Sequence, residues 1–279
     1  MLLGSGVELH FERYGDGAPV LILHGLFGSS TNWRSIAKTL GEHYSVYALD
    51  QRNHGRSPHG DTLGYYDLAA DARGFLDRHG IERAAVIGHS MGGKVAMTLA
   101  LTQPERVAAL VVVDIAPARQ SADGLRPVLD ALLAVDPSRC ATRDDVDREL
   151  AAYLQDSRLR QFLLTNVERG AGGALRWRLN LQAIAAHFSD LASPIGVGRA
   201  GEEPYTGPAL FVRGERSGYV RDADRPDIER LFPHASVVTI EGAGHWVHAE
   251  APERFLEVVG GFLSRWVSSD KDTRLWRKS

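Results

Sequence analysis

A chain of 279 residues, 44% of them hydrophobic, is long enough to bury a sizeable core in one or two domains. Its formal net charge of −3 leaves no basic excess, which argues against nucleic acid as a partner, and no run of Lys and Arg marks a membrane surface. One cysteine, Cys140, excludes an internal disulfide and makes the reducing cytoplasm the expected compartment. The opening residues carry no charged segment followed by a long apolar stretch, so no signal peptide is expected. The apolar runs fall well short of the roughly 20 residues that a helical membrane span needs.

Alternation over residues 7–14 predicts a strand, closed by the turn Gly15-Asp16-Gly17. A short apolar run, 20–23, ends at His24-Gly25. Trp33, Ile36, Ala37 and Leu40 have helical spacing, and Gly41 stops that helix. Residues 44–49 form the next strand. Leu68, Ala72, Phe75 and Leu76 mark a helix ending at Gly80, and a strand at 84–87 runs into Gly88. A helix over 95–101 and a β-branched run over 107–113 complete an alternating strand–helix pattern. Continuous apolar strands between helices predict a mostly parallel sheet covered on both faces.

The alternation fails after Pro117. From there to about Pro204 the pattern is helical, with candidate helices at 125–133, 146–153 and 179–186. Strands return at 209–212 and 236–240, and Phe255, Val258, Val259, Phe262 and Leu263 form a last amphipathic helix. The expected organisation is an α/β core, 1–117 and 206–279, interrupted by a helical cap, 118–205. The polar tail, 268–279, is expected to fray. Cys140 reads as inert packing within the cap.

Gly88-His89-Ser90-Met91-Gly92-Gly93 fits Gly-x-Ser-x-Gly between a strand and a helix. Such a turn lifts the Ser90 hydroxyl above the sheet and aims the Met91 amide at the oxygen that gains charge in acyl transfer. The competing reading is a Gly-rich turn with a capping serine. A serine hydroxyl needs a base to take its proton, and histidine titrates near neutrality. His245, in Gly244-His245-Trp246, follows a strand late in the chain, in the order serine, acid, histidine. His248 is the competitor, and a His245/His248 metal pair lacks a third ligand. No metal or cofactor is expected.

Asp114, at the end of the 107–113 strand, is the favoured acid. Asp222 and Asp224 remain alternatives, because the acid more often follows the next strand, where this chain reads Gly214-Glu215-Arg216-Ser217. A capping role for Asp114 also stays open. Asp50 precedes Ser90 and is assigned to structure. The loop His24-Gly25-Leu26-Phe27-Gly28 is the expected source of a second oxyanion donor, Leu26 first and Phe27 second, with His24 bracing it.

These motifs, with Asp50-Gln51-Arg52-Asn53-His54-Gly55-Arg56-Ser57, resemble those of the α/β-hydrolase superfamily across nearly the whole chain. Asp114-Ile115-Ala116-Pro117, Arg176-Trp177-Arg178-Leu179-Asn180 and Gly244-His245-Trp246-Val247-His248-Ala249-Glu250 look like the group typified by the bacterial esterase YbfF and mammalian abhydrolase-11. That resemblance implies an α/β-hydrolase fold, a Ser90–Asp114–His245 triad, and esterase or thioesterase activity on short acyl chains. Serine in place of aspartate at Ser217 departs from the superfamily but agrees with the group. Trp177 and Asn180 are candidate cleft residues, with cap core as the other reading of Trp177; Phe27, Phe188, Trp246 and Val247 join them.

The expected function is hydrolysis of small-acyl carboxylic esters or thioesters through an acyl-enzyme, by a monomer or homodimer with a small-molecule substrate. C–C bond, lactone or amide hydrolysis, or perhydrolysis, on the same scaffold is the alternative. A different class is a hydrolase-like receptor that binds its ligand and turns over slowly.

Overall fold

The strands and helices follow from which residues each face of the sheet must hide. A computed structural model describes residues 6–119, 124–196 and 203–267. In chain order the first half forms β1 (Phe11–Tyr14), β2 (Pro19–Leu23), α1 (Arg34–Leu40), β3 (Ser45–Leu49), α2 (Tyr65–Arg78), β4 (Ala84–His89), α3 (Met91–Thr102) and β5 (Val107–Val113). An insertion follows, with α4 (Arg126–Ala134), α5 (Arg143–Ala151), α6 (Ser157–Leu164), β6 (Val167–Arg169), β7 (Leu175–Trp177), α7 (Leu181–Ala186) and α8 (Phe188–Leu191). The chain then returns through β8 (Ala209–Gly214), α9 (Arg225–Leu231), β9 (Ala235–Ile240), α10 (Val247–Glu250) and α11 (Pro252–Trp266).

Seven strands lie in the order β1-β3-β2-β4-β5-β8-β9. β1 is antiparallel to β3, and the remaining neighbours are parallel. Successive side chains point to opposite faces. Val20, Ile22, Ala85, Ile87, Val111 and Val113 pack with residues of α1 and α11. Leu21, Leu23, Val86, Leu110, Val112 and Phe211 pack with residues of α2, α3 and α9. Both faces are therefore buried, which is why these strands are apolar throughout rather than alternating. α3 is buried along Met91–Leu101 because it lies against the central strands β4 and β5 and is flanked by α2.

The first strand is shorter than the alternation over 7–14 predicts. The Val7 amide donates to Asp71 Oδ1 (2.7 Å) and that of His10 to Ser57 Oγ (2.8 Å), so side chains take the bonds a ladder would need. The insertion is not wholly helical either. β6 and β7 form a two-stranded antiparallel hairpin around Gly173, where φ is +83°. The expected fraying of 268–279 lies outside the described residues. Among the described residues no helix is long and apolar enough to cross a membrane.

β2 and β4 are adjacent, yet the chain leaves β2 toward β3 and returns to β4 on the other side. This is the point where strand order reverses, and a crevice opens there beyond the carboxyl ends of the strands. The loop after β2 and the turn after β4 both face it.

Candidate active site

Ser90 sits between β4 and α3 with φ 52° and ψ −118°. A non-glycine residue in this region carries strain on the order of 1–3 kcal/mol and persists only where its surroundings fix it. Here its amide donates to Val113 O (3.0 Å), and its carbonyl accepts from the amides of Gly93 (2.9 Å) and Lys94 (3.1 Å). The turn is so tight that a Cβ on Gly88 would lie 2.1 Å from Gly92 O, and one on Gly92 2.3 Å from Leu23 O. Both positions are closed to any side chain.

Asp114, just past β5, also has a positive φ of 52°. That turn sends its fully buried carboxylate across the end of the sheet, where it meets His245 from the loop between β9 and α10. His245 Nδ1 lies 2.7 Å from Asp114 Oδ2. With Nδ1–H donated there, Nε2 is left as the acceptor. The Gly214 amide donates to Asp114 Oδ1 (3.0 Å), and the Ser217 hydroxyl donates to Oδ2. Ser217 thus stands where an acid is common and holds the acid that comes from the earlier strand. The Tyr219 ring stacks on His245 with centroids 4.1 Å apart. On the other side, His89 Nε2 donates to the His245 carbonyl (2.9 Å). Burial, then the neighbouring His245 and His248, push the His89 pKa well below its usual value, so its ring is a neutral brace.

The competitors are engaged elsewhere. Asp222 is exposed and pairs with Arg213 (3.0 Å). Asp224 accepts from the Arg221 amide (2.8 Å) and pairs with its guanidinium. His248 stacks flat on Trp33, with centroids 3.9 Å apart, and burial lowers its pKa to about 3.

The loop after β2 approaches the serine closely: a Cβ on Gly25 would lie 3.2 Å from Ser90 Cβ. His24 Nδ1 faces Gly25 O (2.8 Å) and its Nε2 accepts from the Gln51 amide (3.0 Å), which pins the loop to the end of β3. Phe27 takes a φ of 62°, and its amide donates to His54 Nε2 (3.3 Å). Phe27 is therefore removed as the second oxyanion candidate. Among the described residues the amides of Leu26 and Met91 have no hydrogen-bond acceptor. Asp50 is structural, accepting from the amides of Ser30 (2.7 Å) and Arg56 (2.9 Å).

The cleft at Ser90 has two lobes that share Leu26, Ser90 and Leu125. One, of about 510 Å³ including space open to solvent, is lined by Phe27, Trp33, Phe162, His245 and Trp246. The other, of about 420 Å³ measured the same way, is lined by Tyr65, Met91, Ile115, Phe188, Ala192 and Tyr219. Phe27, Phe188 and Trp246 thus face the cleft.

Three expected lining residues lie elsewhere. Trp177 packs into the insertion and donates from Nε1 to Val135 O (3.0 Å). Asn180 caps α7 through the Ala183 amide (3.2 Å) and donates to Asn53 Oδ1 (3.0 Å), a joint between insertion and core. Val247 is fully buried against the α11 side of the sheet. The motif sharing that pointed to them reflects packing. Tyr65, Phe162 and Tyr219, which do line the cleft, escaped the sequence reading because nothing local distinguishes them from other core aromatics.

The pattern of the alpha/beta hydrolase fold family matches residues 18–252. An sn-1-specific diacylglycerol lipase, ABHD11, from Danio rerio is 40% identical over 260 residues, covering 91% of this chain and 80% of that protein. Esterase YbfF of Escherichia coli is 34% identical over 249 residues, covering 89% and 94%. The solved structure of a marine microorganism esterase, 41% identical, superposes with a TM-score of 0.89 over 92% of this chain and 100% of the other. The chain belongs to the α/β-hydrolase fold family, among its esterase and lipase members.

Proposed function

We propose that the protein hydrolyses carboxylic esters or thioesters of small acyl groups through Ser90, His245 and Asp114. His245 Nε2 takes the hydroxyl proton as Ser90 Oγ attacks the carbonyl carbon. The carbonyl oxygen becomes an oxyanion facing the amides of Leu26 and Met91. As the intermediate collapses, the bond to the leaving oxygen or sulfur breaks, and His245 returns the proton to that atom. Water then attacks the acyl-serine by the same route and releases the acid. Asp114 keeps Nδ1 protonated and balances the imidazolium that forms in each half-reaction.

The observation that carries this reading is the meeting of three chain segments at one crevice. Ser90 is held on a strained turn, and His245 lines the same lobe with its Nδ1 fixed 2.7 Å from a buried carboxylate. The names of the relatives, an esterase and a diacylglycerol lipase, are of the same bond class. Ser90→Ala tests it. Turnover of p-nitrophenyl butyrate should fall by on the order of 10⁵- to 10⁶-fold. An active Ser90→Ala protein would end the proposal, and negligible turnover by the unaltered protein with every ester tried would favour a binding role.

A further inference from the structure

The two lobes are not equivalent chemically. His245 lines one of them and not the other. In acyl transfer the imidazole hands its proton to the departing atom, which must lie within hydrogen-bond reach of it. The leaving group therefore enters the His245 lobe. That lobe shares Asn32, Phe162, Trp246 and His248 with an open surface groove, so a leaving group can run outward. The acyl chain takes the second lobe, which shares no lining residue with that groove among the described residues.

The wall of the acyl lobe on the insertion side is Phe188, Leu191 and Ala192, the last turn before the chain returns to the core. Two hydrogen bonds tie that turn to the core. Tyr65 Oη donates to Leu191 O (2.6 Å), and Lys94 Nζ donates to Ser193 O (2.6 Å). Lys94 follows the Ser90 turn on α3 and is only 1% exposed. Its ammonium also sits 5.5 Å from the Tyr65 ring centroid. A buried charge is expensive to desolvate, and an apolar side chain of similar volume would pack there at lower cost. Burial, with Arg119 nearby, lowers its pKa to about 8, which registers the same cost. The bond to Ser193 is what the lysine contributes at that position.

We infer that Lys94 and Tyr65 are positioning residues that set the acyl length this enzyme accepts, by holding Leu191 and Ala192 as the wall of the acyl lobe. The preferred substrate class is then an ester or thioester with a short, compact acyl group and an extended leaving group. This rests on the Ser90–His245 chemistry proposed above.

The test compares two substrate series on the full chain: p-nitrophenyl esters from acetate to decanoate, and alkyl butyrates from methyl to octyl. Lys94→Met keeps the side-chain length and removes the bond to Ser193. It should raise KM for the preferred short ester by about tenfold, the worth of one charged hydrogen bond, with a smaller change in kcat. Its acyl optimum should move to longer chains while the alkyl series keeps its order. Tyr65→Phe, which loses only a hydroxyl, should move the optimum in the same direction by less. Ala192→Phe fills the lobe from that same wall and should remove the longer acyl esters first, a readout that survives if Lys94→Met does not fold. An unmoved acyl profile in Ala192→Phe, or an altered alkyl series with a fixed acyl series, overturns the assignment. Turnover by Ser90→Ala sinks the hydrolase reading instead, so the two failures are separable.

Discussion

The core side of the crevice and the insertion above it are held by different means. On the core side the backbone itself is constrained. Phe27, Asn53, Ser90 and Asp114 all take positive φ, and Gly88 and Gly92 sit where no Cβ fits. The insertion has no positive-φ residue among its described non-glycine positions. It is organised by helix caps, such as Thr142 on α5 and Asp156 on α6, and by ion pairs such as Arg160–Asp147 (2.8 Å). Side-chain hydrogen bonds join it to the core, among them Asn166 to Phe27 O (2.7 Å), Asn180 to Asn53 and Gly60, Tyr65 to Leu191 and Lys94 to Ser193. A floor fixed by its backbone and a roof fastened by side chains let chemistry and substrate choice be altered independently.

The largest break in that comparison lies on the floor. Asp114→Asn keeps shape and burial but presents an amide to His245 Nδ1 and to the Ser217 hydroxyl. The amide can donate to Nδ1, which favours the tautomer with the proton on Nε2, the wrong nitrogen for a base. kcat should fall on the order of 10³- to 10⁴-fold with little change in KM. A comparable loss from Asp222→Asn, with Asp114→Asn near normal, would reassign the acid despite its position.

The floor was also the legible part of the sequence. Gly-x-Ser-x-Gly, His24-Gly25 and Gly244-His245 are local patterns, because the tight turns they make admit few residue types. The two-faced burial of β2, β4 and β5 left continuous apolar runs that name a parallel sheet. The roof left weaker traces. The strands of its hairpin are three residues each, and α8 is four residues long. Trp177 and Asn180 read as cleft residues from the motif they share with the group, while their partners, Val135 and Asn53, are 42 and 127 positions away. Sequence spacing carries no sign of such bonds. Ser217 was visible only as a missing aspartate; its service to Asp114 depends on the meeting of β5 with the loop after β8.

Acid should sharpen the contrast next. His24, His54, His89 and His248 are buried around the floor, and burial lowers the pKa of each, His54 and His248 to about 3. Below pH 6.5 the unfolded chain binds protons that these folded imidazoles refuse, so stability is greatest above 6.5 and falls as pH drops, for His54 and His248 down to about 3. Over that window His54 and His248 each contribute about 1.4 kcal/mol per pH unit. His187 on the insertion has the opposite shift: its hydrogen bonds to Asp190 and Asp61 O raise its pKa. The stability it adds is present below its unfolded pKa and is lost as pH rises through the folded value. Melting followed from pH 7 to 4 should drop steeply, and His248→Gln should flatten the curve. A curve unchanged by His248→Gln would mean that this ring is already protonated in the fold.

The mildest break is at the joint. Asn180→Ala removes the cap of α7 and the bonds from its side chain to Asn53 Oδ1 and Gly60 O (3.2 Å), while the bond from its own amide to Asn53 O (3.0 Å) remains. A lost cap and two partly buried hydrogen bonds together cost about 2 kcal/mol. Because the joint fastens the roof and not the floor, that cost should fall on local opening. Amide exchange should quicken across α7 and α8 while β4 and β5 keep their protection. If exchange in the strands rises by the same factor, the insertion and the sheet open as one unit, and the division of the molecule into rigid floor and fastened roof does not hold.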